Sequence, residues 1–371
     1  MNGLKVFMAP GHYVQGPGAL DLVGVKTASL GQRAVVVCDR DIIPLVGERL
    51  DRSLHAAGVL TQTYPFSGEN TLAMIEQLTA RASDHRPDAI VGVGGGRALD
   101  AGKGVAHRLH LPFVSVPTIA STDAPAARGI GIYDEEHRPV VVEQMERNPA
   151  YVLVDTDIIA KAPPRFLRAG MGDAVAKKFE AEGCWQGGGR TKHMTRPLRS
   201  ALLIANDCYE LLRSHGPAAM RAAEAGRVTD DLEYAVEAAL LLSCLAFENG
   251  GLWIAHSVVR GLLLVRGAKD ALHGDQAAYG TLVQATLEQR PEPEITALRT
   301  FLRDVGLPLR LADLGLSDPS DDEIERIAQA TAASPYIAVR AKEINVDRVR
   351  AAIREVETRS AEEHRARNGN R

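Results

Sequence analysis

A short apolar run followed by three glycines constrains the fold of this chain more than any other segment. Residues 89–93, Ala-Ile-Val-Gly-Val, have the composition of a strand buried in a parallel sheet, and a helical pattern opens after Gly94, Gly95 and Gly96. Strand, tight turn and helix in this order predict one unit of an α/β sheet. The glycines would let the backbone approach a ligand, and the helix N-terminus would attract a phosphate.

The turn alone does not decide between a pyrophosphate site and an ordinary glycine-rich turn. The dinucleotide fingerprint G-x-G-x-x-G fails when counted from Gly92, because Arg97 takes its last position, and fails from Gly94, because Leu99 does. The same four residue types as in 94–97 recur at 187–190 without a preceding strand, where they predict a flexible loop. Both interpretations of the glycine turn stay open at this level.

The pattern of secondary structure changes near the middle of the chain. Strand-like and helix-like segments alternate up to about residue 160, which predicts an open parallel sheet with helices on both faces. Past Pro163 and Pro164 the segments are long, rich in Ala and Leu, and helix-periodic. We therefore predict an α/β domain over residues 1–161 and an all-α domain over residues 162–371, with a disordered tail beyond Glu362.

Individual elements follow from the same patterns. The predicted strands are 34–38, 60–64, 89–93, 113–116 and 151–155, with a hairpin of 129–133 and 140–143. Among the helices of the second half, 198–214 and 217–225 are predicted as separate elements with Pro217 at the break.

Composition excludes several classes of function. A net charge of −4 provides no basic surface for nucleic acid, and no run of Lys and Arg suggests a membrane surface. Apolar runs fall short of the roughly 20 residues that span a bilayer. The four cysteines are scattered and the N-terminus lacks a signal-peptide pattern, so we expect a cytoplasmic protein with reduced thiols. Its expected partners are small molecules or copies of itself.

Polar residues after two predicted strands could face a ligand. Asp39 ends one strand, where an acceptor for ribose hydroxyls belongs in a nucleotide-binding sheet, but an aspartate that begins a turn explains it equally well. Residues 116–125 leave another strand and carry three hydroxyls and the carboxylate of Asp123 between two prolines. Such a loop could line a ligand crevice, or its side chains could bond their own backbone.

Three potential metal ligands lie in the helical half, and each has a structural explanation as well. Asp173 could cap a helix, His256 could be a buried helix histidine, and His273 could be a surface residue near a helix end. The two histidines are seventeen positions apart, so their spacing is no zinc signature by itself. Taken singly, the three residues favour the structural explanation.

Five stretches taken in order make the chain similar to the glycerol dehydrogenase branch of the iron-containing, or group III, alcohol dehydrogenase family. The resemblance covers nearly the whole chain, and its Pro-Thr-Ile-Ala-Ser-Thr-Asp segment is highly specific. The matching stretches are residues 94–100, 117–125, 169–174, 248–252 together with His256, and 272–284.

The resemblance implies a fold, a cofactor and a set of site residues. It implies an N-terminal NAD-binding α/β domain and a C-terminal helical domain that binds metal and substrate, with the site between them. It implies that Asp173, His256 and His273 hold a divalent metal, and that Asp123 lies beside the substrate hydroxyls. The implied cofactor contacts are Asp39, Gly94, Gly95, Gly96, Arg97, Thr118, Ser121 and Tyr133.

Two histidines and a carboxylate leave positions on a divalent ion open for a substrate oxygen. Zinc suits the glycerol dehydrogenase branch, although the same ligands accept iron(II). Asp39 favours NAD over NADP, because a carboxylate repels a 2'-phosphate. Family members associate, so the resemblance also implies a homo-oligomer, a dimer or an octamer.

Some residues depart from the family pattern. Arg97 stands where the family usually has Lys, Ala127 where it has Ser, and Val259 and Arg260 where it has His and Asn. A pocket retuned for another polyol or a hydroxy-ketone is one hypothesis, with an anionic substrate if Arg128 or Arg260 points inward. The alternative is that both arginines are solvated.

The leading prediction is therefore a metal-dependent, NAD-linked oxidoreductase that interconverts a small polyol or vicinal diol and its hydroxy-ketone or aldehyde. One alternative is a sugar-phosphate cyclase similar to dehydroquinate synthase, which shares fold, NAD and metal but gives no net redox. The family resemblance of Asp173 and of residues 117–125 argues against it. The other alternative is a catalytically inactive NAD-binding homologue.

Overall fold

The computed structural model describes residues 3–136 and 138–368, which form two compact units. The sheet unit contains residues 8–167 and 221–244, and the helical unit contains residues 168–220 and 245–368 together with 3–7. Residues 221–244, which were expected in the all-α domain, thus belong to the sheet unit. The domain boundary between residues 161 and 162 stays a prediction.

The sheet unit is built on six parallel strands and a separate antiparallel hairpin. The strands are β1 (His12–Gly16), β2 (Arg33–Asp39), β3 (Leu60–Phe66), β4 (Ala89–Gly94), β5 (Phe113–Pro117), the hairpin strands β6 (Gly129–Tyr133) and β7 (Pro139–Gln144), and β8 (Tyr151–Asp155). The sheet order is β1-β8-β5-β4-β2-β3. Every predicted strand is confirmed, but β1 was missed, because this half-exposed edge strand has no apolar run.

Helices cover both faces of the sheet, as the alternating pattern predicted. They are α1 (Val23–Ala28), α2 (Ile43–Ala56), α3 (Leu72–His85), α4 (Gly96–Leu109) and α5 (Thr156–Lys161). Alternate residues of the central strands point to opposite faces. Val36 and Cys38 of β2 pack in the core cluster that contains residues of α1 and α2, whereas Val35 and Val37 pack in the cluster that contains residues of α3 and α4.

The remaining regular elements of the described chain are helices. They are α6 (Pro164–Gly187), α7 (Arg199–Glu224), α8 (Asp230–Glu237), α9 (Ser243–Gly250), α10 (Ile254–Leu262), α11 (His273–Leu287), α12 (Glu292–Asp304), α13 (Asp321–Ala332) and α14 (Val346–Asn368). A π-helical segment, Ala238–Leu242, joins α8 to α9. Short 3-10 turns occur at Ala19–Leu22, Ala268–Asp270, Leu311–Leu314 and Ala338–Arg340.

Two predictions about the helices are wrong. Residues 198–214 and 217–225 form the single helix α7, which contains Pro217 in its interior although proline there removes one intrahelical hydrogen bond. The tail predicted to be disordered beyond Glu362 continues as helix to Asn368. Glu363 accepts a 2.8 Å hydrogen bond from buried Arg299, and this contact anchors the last turns.

Within the described residues, no single helix has the length and apolar composition needed to cross a bilayer. Only the pair Asp230–Gly250 and Ile254–Leu262 meets both criteria, and only when the two are counted together.

Candidate functional site

Three side chains that could bind a metal converge in the helical unit. Asp173 lies on α6, His256 on α10, and His273 begins α11. His256 Nε2 lies 3.3 Å from Asp173 Oδ1 and 3.3 Å from His273 Nε2, and His273 Nε2 lies 3.8 Å from Asp173 Oδ1. The structure therefore brings together the three residues that sequence spacing could not connect.

The spacing of these donor atoms fits a metal ion. Ligand atoms about 2.1 Å from a tetrahedral zinc lie about 3.4 Å from one another, close to the 3.3–3.8 Å observed. Two imidazoles and one carboxylate suit zinc or iron(II). Asp173 and His256 are buried, whereas the side chain of His273 is 43% exposed.

Glycines explain why these helices can approach so closely. A Cβ atom added to Gly172, which precedes Asp173, would lie 2.3 Å from the carbonyl oxygen of Gly274, which follows His273. A Cβ atom on Gly280 of α11 would lie 2.4 Å from the carbonyl oxygen of Ala255, which precedes His256. The helix backbones touch beside each candidate ligand, so these positions require glycine.

Two buried charged residues of α6 surround the donor atoms, and sequence analysis singled out neither. Lys177 Nζ donates to Asp173 Oδ1 at 2.6 Å, and Glu180 Oε2 accepts from His256 Nδ1 at 2.6 Å. Burial by itself raises the pKa of the Asp173 carboxyl, but Lys177 and the two histidines together bring that pKa well below its usual range. Lys177 and Glu180 follow Asp173 on the same helix by four and seven residues. This spacing places them near Asp173 and is the sequence signal that could have identified them.

The candidate nucleotide residues cluster in the sheet unit at the carboxyl ends of β2, β4 and β5. Gly94 has a φ of +139°, and a Cβ atom there would lie 2.8 Å from the Cβ of Asp39. Asp39 therefore lies directly beside the glycine turn. Its Oδ1 also accepts a hydrogen bond from the Asp41 amide at 3.0 Å. Asp39 therefore also has the turn-forming role that was the alternative explanation for it.

The following residues suit the approach of a ligand. Gly95 is the N-cap of α4 and has no side chain to cap the helix, and a Cβ atom on Gly96 would meet nothing within 4 Å. The Thr118 amide donates to the Gly94 carbonyl at 3.1 Å. Thr118 Oγ1 is buried and finds no hydrogen-bond partner within the described chain, as expected of a group that a cofactor would satisfy.

Asp123 is buried in the sheet unit, and Ser243 Oγ donates to its Oδ2 at 3.1 Å. Lys103, also buried, donates to the carbonyl of Ala124 at 2.6 Å and to Asp100 Oδ1 at 2.9 Å, which ties the Asp123 loop to α4. Sequence analysis missed Ser243 and Lys103. Ser243 directly follows the π-helical segment, but a single sequence does not reveal that irregularity.

The remaining predicted residues are less constrained. Ser121 and Tyr133 are half-buried, and burial, reinforced by nearby carboxylates, raises the pKa of Tyr133 to about 12. Arg97 is 57% exposed and its Nη1 donates to Glu69 Oε1 at 2.8 Å. Arg128 Nη1 donates to the Met145 carbonyl at 3.2 Å.

Comparison with known proteins gives consistent matches. The model of the iron-containing alcohol dehydrogenase family matches residues 10–156. A glycerol dehydrogenase of Citrobacter freundii is 38% identical over 89% of this chain and 90% of its own length. A glycolaldehyde reductase of Halobacterium salinarum is 37% identical over 88% and 89%. The crystal structure of glycerol dehydrogenase from Schizosaccharomyces pombe superposes with a TM-score of 0.93 at 30% identity, covering 99% of this chain and 93% of that one.

Proposed function

Since the chain belongs to the iron-containing alcohol dehydrogenase family, in its glycerol dehydrogenase branch, we propose that it interconverts a small vicinal diol and its hydroxy-ketone or aldehyde. The protein is an NAD-linked polyol oxidoreductase. The observation that carries the proposal is the convergence of three metal-ligand atoms within 3.3–3.8 Å of one another. The relatives named above are dehydrogenases and a reductase, so a sugar-phosphate cyclase is not favoured.

In this proposal Asp173, His256 and His273 hold one divalent ion, with zinc favoured over iron(II). A divalent ion held there would polarise the substrate oxygen, and NAD would supply the hydride acceptor or donor. Three protein ligands would leave room on such an ion for a substrate oxygen. Of the three candidate ligands, His273 is the most exposed.

Asp123 orients a second hydroxyl of the substrate. A carboxylate accepts hydrogen bonds only, so it favours a ligand with a hydroxyl to donate. Ser243 Oγ and the loop contacts of Lys103 limit the rotation of this carboxylate. Proton relay by Asp123 is the alternative role.

The glycine turn and the N-terminus of α4 would hold the pyrophosphate of the cofactor. Open space at Gly96 and the unsatisfied hydroxyl of Thr118 support this placement. Asp39 would accept from the adenosine ribose. The full set of proposed contacts is Asp39, Gly94, Gly95, Gly96, Arg97, Thr118, Ser121 and Tyr133.

A neutral polyol is favoured over an anionic substrate. Arg260 is exposed, as expected of a solvated arginine, and Arg128 Nη1 donates to the Met145 carbonyl. The resemblance to both a glycerol dehydrogenase and a glycolaldehyde reductase fits small neutral hydroxy compounds.

One assay panel tests the proposal. Glycerol, 1,2-propanediol, glycolaldehyde, lactate and a phosphorylated ketone are assayed with NAD(H) and NADP(H), with metal analysis of the same sample. We expect turnover of the neutral diols or of glycolaldehyde with the NAD pair, its loss on chelation, and its recovery with zinc. Full activity in metal-free protein, or a preference for lactate or NADPH, would contradict the proposal.

We also propose a cytoplasmic homo-oligomer. All four cysteines are buried and none forms a disulfide within the described residues, as suits a reducing compartment. The hairpin strand β7 exposes Val140, Val141 and Val142, and an exposed apolar edge strand can pair with a second copy of itself.

A further inference from the structure

Glu180 is a fully buried carboxylate on α6, seven residues and therefore about two helical turns after Asp173. One carboxylate oxygen, Oε1, accepts from the backbone amides of Trp253 and His256, each at 2.9 Å. The other, Oε2, accepts from His256 Nδ1 at 2.6 Å. A single side chain thus contacts both the start of α10 and the imidazole of a candidate metal ligand.

We infer that Glu180 is a positioning residue that holds His256 with its proton on Nδ1 and its Nε2 lone pair directed at the metal position. An ionised carboxylate accepts hydrogen bonds and donates none, so the nitrogen that faces it must carry the proton. In neutral imidazole the second nitrogen is then an acceptor. That nitrogen, Nε2, is the atom 3.3 Å from both Asp173 Oδ1 and His273 Nε2.

This inference rests on the proposed metal centre and assigns it a residue outside the ligand set. A histidine binds metal through an unprotonated nitrogen, and the partner of its other nitrogen decides which one that is. Losing such a partner typically lowers metal affinity about 10- to 100-fold.

The competing explanation is that Glu180 only caps α10. Trp253, the N-cap residue of that helix, supplies no side-chain hydrogen bond of its own, so a cap from α6 has a clear structural role. A substitution that preserves the cap but reverses the hydrogen bond to His256 separates the two explanations.

Glu180→Gln is that substitution. The amide oxygen can still accept from the two backbone amides, and its NH₂ group then faces His256 Nδ1. Because this group donates, Nδ1 must become the acceptor and the proton moves to Nε2. If the new amide group rotated by 180°, its oxygen could accept from His256 Nδ1 again. Its NH₂ group would then face the backbone amides of Trp253 and His256, which are also donors, so this orientation is less favourable.

Zinc affinity, measured by chelator competition, is the main readout. We expect Glu180→Gln to raise the zinc Kd about 10- to 100-fold, with little change in the thermal unfolding of the metal-free protein. Glu182→Gln is the matched control, because Glu182 lies on the same helix and pairs with Lys178 and Arg290. An unchanged zinc Kd in Glu180→Gln would overturn the inference, whereas a wild-type protein that binds no zinc would overturn the proposed metal centre instead.

A second readout does not require the variant to fold. Long-range ¹H–¹⁵N spectra of ring-labelled histidine in the metal-free wild-type protein, recorded where the His256 ring is neutral, report which nitrogen carries the proton. We expect Nδ1–H for His256. An Nε2–H signal in the wild-type protein would refute the assigned role.

Discussion

Gly172 and Gly274 form the contact at which α6 meets α11, and each lies next to a candidate metal ligand. A side chain at Gly172 would overlap the Gly274 carbonyl oxygen, since its Cβ would lie 2.3 Å away. Asp173 and His273 are close because these two glycines leave room for the two backbones. The Gly-Asp and His-Gly pairs in the sequence are therefore packing signals as well as ligand signals.

Gly172→Ala should push α6 away from α11 and separate Asp173 from His273. We expect a loss of about 1–3 kcal/mol of unfolding free energy from overpacking, together with weaker zinc binding. Chemical denaturation and zinc titration measure the two effects. Gly47→Ala on α2 is the control, because its Cβ would meet only the Cγ2 methyl of Ile43, at 3.3 Å. Wild-type zinc affinity in Gly172→Ala would show that the crossing does not set the ligand spacing.

Two neighbouring glycines should respond differently to alanine. Gly94→Ala combines a positive φ with a clash against Asp39 and should destabilise the protein by about 1–3 kcal/mol. Gly96→Ala meets no protein atom and should be neutral or up to about 1 kcal/mol more stable, because alanine favours helix. If the pyrophosphate lies there, Gly96→Ala should still raise the NAD Kd about tenfold or more. Calorimetric titration with NAD tests this, and an unchanged Kd would place the phosphates elsewhere.

Lys177→Met should weaken the metal-free protein while strengthening metal binding. Removing the ammonium leaves a buried carboxylate without its cation, which typically costs about 3–5 kcal/mol, and a bound ion would restore the balance of charge. The zinc Kd should therefore fall about tenfold or more, and the stability difference should shrink at saturating zinc. Lys178→Met, which removes a cation paired with Glu182 and Glu294, should leave zinc affinity unchanged. Weaker zinc binding in Lys177→Met would contradict this account.

Asp123→Asn should distinguish diols from simple alcohols. If the carboxylate binds a second hydroxyl, kcat/KM for a vicinal diol should fall about 10- to 100-fold, as for a lost hydrogen bond to a charged group. The value for a monohydric alcohol should change much less. Ser243→Ala should have a smaller effect on the diol, because it removes only one support of the carboxylate. Equal losses for both substrates would exclude the proposed contact.

Val141→Lys should reduce the molecular mass in solution if β7 joins two copies. A charged side chain on an edge strand opposes pairing with an identical strand. Light scattering after size-exclusion chromatography measures the mass. Val25→Lys, at an exposed valine of α1, is the matched control. An unchanged mass for Val141→Lys would move the interface elsewhere on the surface.

Local patterns in the sequence were sufficient for every strand of the sheet unit except β1. The apolar strand before Gly94 and the helix after Gly96 depend on residues that are close in the sequence. Composition and periodicity therefore predicted these two elements and the adjacent strands. The edge strand β1 was not predicted, because it is only half-buried and has no apolar run. Pro217 predicted a break, but α7 continues through it.

By itself, the sequence determined the α/β sheet, the change to a helical second half and, through resemblance, the family and its candidate metal ligands. Only the tertiary structure placed Asp173 against His256, 83 positions later in the chain, because that proximity depends on helices that cross at glycines. It also revealed Lys177 and Glu180 as partners of those ligands. Short-range preferences act along the chain, whereas a buried ion pair or an oriented imidazole exists only after long-range packing has excluded water and fixed both partners.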